Sequence, residues 1–339
     1  MDTFFYIILF VIGTIFGSFA SVVIYRIKSW EKGIFMWRSH CSNCDKKLSS
    51  TDLIPVIWYM LTKWKCNACK KKISLIYPIL EISMWVLFAL VWYFLIDFWL
   101  ILEWNWVEII KLLFWLFIWF VTIVYTFYDI LFLEIPESVL ALWIIGTLWI
   151  LWLQSLFPGF NMIEWLPAWW NTITMSLLAV AWSISVVWIL YVIMLKELSV
   201  ITDIILLASS ILGLILIKYA FDIELTNLAI TNGLMWMLGI FLFFFLQIIV
   251  SKWAWMWWGD LRIAILIGLI LGTTLSFPAM MLTYLIGSFI WIGFIIYSRI
   301  WKWETTMTTQ IPFWPFLAAW FFVTIFFQQS ILKFMSFYL

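Results

Sequence analysis

Charge is scarce in this chain. Only 11% of its 339 residues are charged, while 66% are apolar. A soluble domain needs a well-charged, solvated surface, so the composition excludes one and leaves a polytopic helical membrane protein. The long apolar runs are nearly free of ionisable groups. A transporter or proton-coupled channel working through carboxylate relays would carry such groups deep in its spans, which argues against that class. Histidine is nearly missing: His40 stands alone beside Cys41. Glycine is short as well, with 13 residues against 29 tryptophans. Average usage would give about 7% glycine, and membrane helices usually carry more.

The few charges are unevenly placed. Eleven of the 19 Lys and Arg lie between Arg26 and Lys72, against only Glu31, Asp45 and Asp52, a local balance of +8. A basic loop between spans is a topology signal, and it puts this segment in the cytoplasm; nucleic acid is not expected as a partner. The N-terminus then lies outside. The first apolar run, 4–25, is long and no small-residue cleavage site precedes the basic loop, so a span is expected rather than a cleavable signal peptide. Further spans are predicted at 77–101, 109–128, 138–157, 172–195, 199–217, 226–250, 262–276, 279–298 and 312–330. The expected fold class is an all-α polytopic membrane bundle of about 8–10 spans with a small cytoplasmic zinc-binding loop domain. It would consist of a first span (1–25), a cytoplasmic loop (26–76) and a membrane domain (77–339). With this topology only Lys111, Lys218 and Lys333 among the basic residues fall away from the cytoplasmic side.

All four cysteines sit in the loop, as Cys41-x-x-Cys44 and Cys66-x-x-Cys69. Paired CxxC turns supply the four thiolates that a structural Zn²⁺ site needs, and a reducing cytoplasm favours metal over disulfides. Beside a complete set of four thiols, His40 is not expected as a ligand.

Two acids stand at span edges. Asp129 closes one apolar run and Asp260 opens another, in Trp257-Trp258-Gly259-Asp260-Leu261-Arg262. Carboxylates at membrane depth are expensive, which makes each a functional candidate. The alternating connectors put both on the cytoplasmic side. Two close carboxyls share a proton, one as base and one as acid, and such a dyad can activate water against an amide carbonyl. Pro136 lets the chain dip at the interface after Asp129, and Gly259 leaves room for a substrate backbone beside Asp260.

A series of motifs in order completes the sequence reading. They are Gly17-Ser18-Phe19 with Val22-Val23 and Arg26; Arg38-Ser39-His40-Cys41; Leu53-Ile54-Pro55; Tyr77-Pro78-Ile79-Leu80-Glu81; Asp129 with Ile135-Pro136-Glu137; Gly259-Asp260-Leu261-Arg262; Ile311-Pro312-Phe313; and Pro315-Phe316-Leu317-Ala318. Together they resemble the bacterial type IV prepilin peptidases, bifunctional GxGD aspartic membrane proteases. The resemblance implies that Asp129 and Asp260 cleave the basic leader from type IV prepilins or pseudopilins at the cytoplasmic face of the inner membrane, with Gly259, Pro136, Glu137 and Arg262 as motif support. It makes 77–339 the peptidase domain. It also implies N-methylation of the new N-terminus from S-adenosylmethionine through the loop, where Arg26 and Glu81 are candidates; a helix-end charge pair is the alternative for these two. A peptidase lacking methyl transfer and a non-catalytic scaffold with a zinc module remain as rival readings.

Two departures accompany the resemblance. The family's second motif has glycine where this chain has Trp257, and similar exchanges recur at Trp64, Trp85, Trp255, Trp314 and Trp320. One codon, UGA, is read as Trp in one variant code and as Gly in another. Many of these tryptophans are therefore expected to be glycine in the native protein. The stretch between the aspartates is also longer than usual, consistent with an extra helical hairpin at 199–250.

Overall fold

Backbone amides cannot leave their hydrogen bonds unmade in a bilayer, so apolar runs of this length settle as helices. The computed structural model describes residues 2–29, 39–41, 44, 46–49, 51–134, 136–157, 159–166, 215, 229–251, 258–300 and 314–338. Among these, extended pairing is limited to two isolated bridges. The chain divides into two units, Met1–Pro136 and Glu137–Leu339.

The first unit holds α1 (Asp2–Ser29), a 3-10 turn (Thr51–Leu53), α2 (Ile57–Leu61), α3 (Ile76–Leu95), α4 (Phe98–Leu102) and α5 (Trp106–Phe132). Helices α1 and α3 run antiparallel and touch backbone to backbone. A Cβ on Gly13 would fall 2.6 Å from Trp85 Cα, and one on Gly17 2.5 Å from Glu81 Cα. The Gly13-x-x-x-Gly17 spacing is the small-residue pattern that permits such approach between membrane helices. At the far end Phe5 stacks on Trp92 with centroids 5.1 Å apart. Helix α5 packs on α3 and, through Phe120 against Phe16 and Phe19, on α1. It runs parallel to α1, because Tyr25 meets Phe132 and Lys28 pairs with Glu134 at 2.7 Å. The last turns of α1 and α5 therefore share one end of the unit with the cysteine loop.

At the opposite end, Asn105 caps α5 by accepting from the Val107 and Glu108 N–H groups. Glu108 accepts from the Asp97 N–H at 2.7 Å and lies 3.5 Å from Lys111, both side chains being buried. The predicted span 77–101 is interrupted there: α3 ends at Leu95, Ile96 is extended, and α4 follows. Helix α4 closes with a Schellman pattern, Trp104 N–H to Ile101 O and Asn105 N–H to Leu100 O, with Trp104 at φ 58°.

The second unit holds α6 (Glu137–Leu156), α7 (Ala229–Ser251), α8 (Trp258–Ile300), α9 (Trp314–Phe326) and α10 (Gln328–Tyr338). Helices α7 and α8 pack along Ile240, Phe244, Ile248 and Met280, and the Tyr284 hydroxyl donates to Gln247 at 2.9 Å. The sequence predicts separate spans at 262–276 and 279–298; the chain instead stays helical through Pro278 and breaks at Gly272 (φ 59°, ψ −160°). Proline costs a helix one backbone bond that neighbours can offset in a membrane bundle, whereas positive φ is open to glycine. Trp165 Nε1 donates to Ile270 O at 2.8 Å beside the break.

Four helices among the described residues are long and apolar enough to cross a membrane, and a fifth crossing arises if the bent α9–α10 pair counts as one. The fold class is thus an all-helical membrane protein with a four-cysteine loop. The predicted span 172–195, nearly all of 199–217 and the first arm of the 199–250 hairpin lie outside the described residues.

Candidate functional site

The loop builds its cysteine cluster from two copies of one turn. His40 bridges Lys47 across the first CxxC, and Lys65 bridges Lys72 across the second. Cys41 N–H reaches Lys46 O at 3.0 Å, and Cys66 N–H reaches Lys71 O at 2.9 Å. The result places all four Sγ atoms within 4.8 Å of one another. Tetrahedral zinc with Zn–S bonds of about 2.3 Å separates its sulfurs by roughly 3.8 Å, so a small contraction would close a site around the ion. The backbone supports thiolates: N–H groups of Cys69 and Ala68 pull the Cys66 thiol down to about 6. At Cys44 the Lys46 N–H acts in the same direction, but desolvation and the other three thiols outweigh it and push that thiol up to about 11. A second fixture sits beside the cluster. The Ser49 N–H and hydroxyl donate to Asp52 at 3.0 and 2.8 Å and, with Lys46 at 3.5 Å, hold this carboxyl below its usual range.

Between this loop and the ends of α1 and α3 lies a cavity of about 550 Å³. Arg26 and Glu81 both line it, so the structure brings these two sequence candidates into one chamber; both are buried, at 8% and 7% exposure. Glu81 Oε2 accepts the Val56 N–H at 2.7 Å, and the Ser18 hydroxyl also hydrogen-bonds to the carboxylate. Val56 holds φ 55°, ψ −53° to make that contact. A β-branched residue with positive φ is strained by about 1–3 kcal/mol, and such strain persists where the surroundings enforce it. Tyr77, one turn before Glu81, stacks on Tyr25 at 5.8 Å and lines the same cavity.

Asp129 lies in the last turn of α5, 9% exposed, and its carbonyl accepts the Leu133 N–H at 2.8 Å. The sequence ends this span at 128; α5 runs on to Phe132 and stops where Leu133 turns left-handed at φ 53°. Pro136 is buried and its carbonyl accepts the Tyr125 hydroxyl at 3.1 Å. Asp129 thus occupies the end of its unit that also carries Arg26 and the loop. Gly259, Asp260 and Arg262 are in the first turns of α8, in the second unit, and Glu137 opens α6. The two aspartates belong to different units.

One comparison falls on the loop and its flanking helices. Residues 11–95 match the bacterial peptidase A24 N-terminal domain. This chain is similar to the prepilin leader peptidase/N-methyltransferase of Vibrio cholerae, 41% identical over 96 residues, 26% of this chain and 38% of that protein. It is similar to the enzyme of that name from Bacillus subtilis, 38% identical over 82 residues, 24% of this chain and 33% of that protein. The Neisseria gonorrhoeae enzyme of that name is 29% identical over 123 residues, 29% of this chain and 40% of that protein. The matches thus cover between a third and two-fifths of these relatives' length. No solved structure matches significantly. The resemblance to prepilin peptidases is borne out; the match to the A24 N-terminal domain contains Arg26, all four cysteines and Glu81, and Asp129 and Asp260 lie beyond it.

Sequence reasoning missed three parts of the site. Gly13 carries a pattern signal, four residues before Gly17. Val56 and the Tyr25–Tyr77 stack carry none, because each depends on how the loop folds back onto the helix ends.

Proposed function

We propose that this protein removes the leader from type IV prepilin-like proteins at the cytoplasmic face of the bacterial inner membrane and N-methylates the new N-terminus. The observation that carries the reading is the cavity beneath the cysteine cluster, built wholly from the segment that matches the bacterial peptidase A24 N-terminal domain. S-adenosylmethionine would supply an electrophilic methyl group there, with Arg26 and Glu81 as the charged walls. Zinc on Cys41, Cys44, Cys66 and Cys69 would fix the loop and so the roof of the chamber; it has no further part in the chemistry.

For cleavage, Asp129 and Asp260 form the dyad. One carboxylate takes a proton from water as it attacks the scissile carbonyl, and the other, protonated, donates to the carbonyl oxygen. Buried placement in the last turn of α5 suits Asp129 for sharing a proton, because desolvation penalises two adjacent negative charges. Gly259, Pro136, Glu137 and Arg262 shape the backbone around the two acids.

The test uses the full chain in lipid nanodiscs with a prepilin substrate. Asp129→Asn and Asp260→Asn should each abolish leader cleavage while leaving methylation of a pre-cleaved peptide intact. Cleavage at the wild-type rate by either variant would remove the dyad from the account.

A further inference from the structure

The proposed methyl transfer leaves one chemical need unassigned. An α-amino group is largely protonated near neutral pH, with a pKa of about 7.7–8.0, and an ammonium has no lone pair to attack a methyl carbon. Something must hold that cation and take its proton.

We propose that Glu81 is that group: its carboxylate binds the α-ammonium of the cleaved substrate and acts as the general base for methyl transfer. The inference rests on the functional reading above. Glu81 is buried on the cavity wall, and a buried carboxylate requires a compensating partner. The partners found are both neutral donors, the Val56 N–H at 2.7 Å and the Ser18 hydroxyl. Among the described residues no ion pair includes Glu81, whereas Glu108, Asp52 and Glu134 each have a lysine. An incoming ammonium supplies the missing cation. The site is also prearranged: backbone contact at Gly17 fixes the Glu81 Cα, and the strained Val56 fixes Oε2. S-adenosylmethionine also carries an ammonium, which competes for this carboxylate only once the donor is bound; its sulfonium has no proton to give. It suits the stacked Tyr25 and Tyr77 rings on the same wall.

Glu81 accepts one proton from the ammonium. The freed lone pair forms the N–C bond to the methyl carbon while the C–S bond of the sulfonium donor breaks, its electron pair passing to sulfur. The products are a secondary ammonium, a thioether and a protonated Glu81, which releases its proton to water.

Glu81→Gln keeps the acceptor for Val56 and removes the charge. Its folding is checked by metal content and thermal midpoint. With S-adenosylmethionine and a pre-cleaved prepilin peptide, methylation at pH 7 should fall by about 10²-fold or more. The deficit should shrink several-fold between about pH 7 and pH 9, as the amine deprotonates unaided. Other titratable or charged groups on the cavity are Tyr25, Arg26, Tyr77, His40, Asp52, Tyr59, Lys46, Lys65, Lys71 and Lys72, with Cys41 and Cys66. A His40→Ala control and metal content at each pH separate the histidine and thiols from Glu81. Without donor, wild type should bind the free-amine peptide at least ~10-fold more tightly than its N-acetylated form, and Glu81→Gln should lose that preference. A deficit constant with pH, or a retained preference, would overturn the role of Glu81. If wild type methylates nothing and binds no S-adenosylmethionine, the functional reading itself fails and this inference with it.

Discussion

Gly17→Ala puts the α1–α3 crossing to a direct test. The added Cβ would sit 2.5 Å from Glu81 Cα, 3.1 Å from Glu81 N and 3.1 Å from Leu80 O. All three are backbone atoms, which cannot swing aside as a side chain would. Ordinary contact begins near 3.4 Å, so the helices must separate by about 1 Å at the tightest point, a strain on the order of 1–3 kcal/mol. Gly287→Ala is the matched control, since a Cβ there meets nothing within 4 Å. Both positions are helical, so the propensity gain of about 0.5–1 kcal/mol is common to the two and cancels in the comparison. At about 2–4 °C per kcal/mol, Gly17→Ala should melt roughly 2–12 °C below Gly287→Ala in a detergent thermal-shift assay. It should also lower N-methylation, because the displaced residue is Glu81. Equal melting points for the two variants, with unchanged methylation, would refute the close crossing.

Other expectations follow from the same geometry. Cys66→Ser should reduce bound zinc from one ion per chain to a small fraction, measured by elemental analysis, and expose the loop to protease; equal metal content would exclude the four-thiol site. Asp52 has its carboxyl lowered by Ser49 and Lys46, so its stabilisation is present above the unfolded value of about 3.9 and is lost as pH falls through the lower folded value. Hydrogen exchange around residues 46–52 should therefore rise at acid pH in wild type, and Asp52→Asn should show the faster exchange already at pH 7. Tryptophan at 64 and 104 occupies φ 69° and 58°, and 104 is the Schellman position where glycine predominates. Trp85 buries an indole N–H with no hydrogen-bond partner. Peptide masses from the native source should show glycine at 64, 85, 104 and 257; tryptophan at all four would discard the recoding.

The helices that position the site were largely legible. Apolar runs located α1, α3, α5 and α6 to within a few residues, except at their ends. Asp129 was read as a boundary because it is charged, yet a helix tolerates a buried acid in its last turn and stops where Leu133 turns left-handed. The sequence separates two spans at 276–279, whereas the break in α8 is at Gly272, since proline removes one donor while glycine permits the conformational change. Cysteine spacing announced the four-cysteine cluster, because four thiols in two local turns need little long-range information. The cavity was not legible. It forms when residues 39–74 fold back onto the ends of α1 and α3, joining Val56 to Glu81 across 25 positions of sequence. Glu81 and Arg26 could be singled out by motif, but their sharing of one chamber is a product of tertiary structure.

The central claim is that one chain cleaves a prepilin and then methylates the end it exposes. Intact-mass spectrometry of a prepilin incubated with the full protein and S-adenosylmethionine tests it most directly. The account predicts loss of the leader followed by gain of a single methyl group, with both events absent when Asp129→Asn replaces wild type on the uncleaved substrate. A substrate mass unchanged by the wild-type protein would contradict the account and favour a non-catalytic scaffold organised around a zinc module.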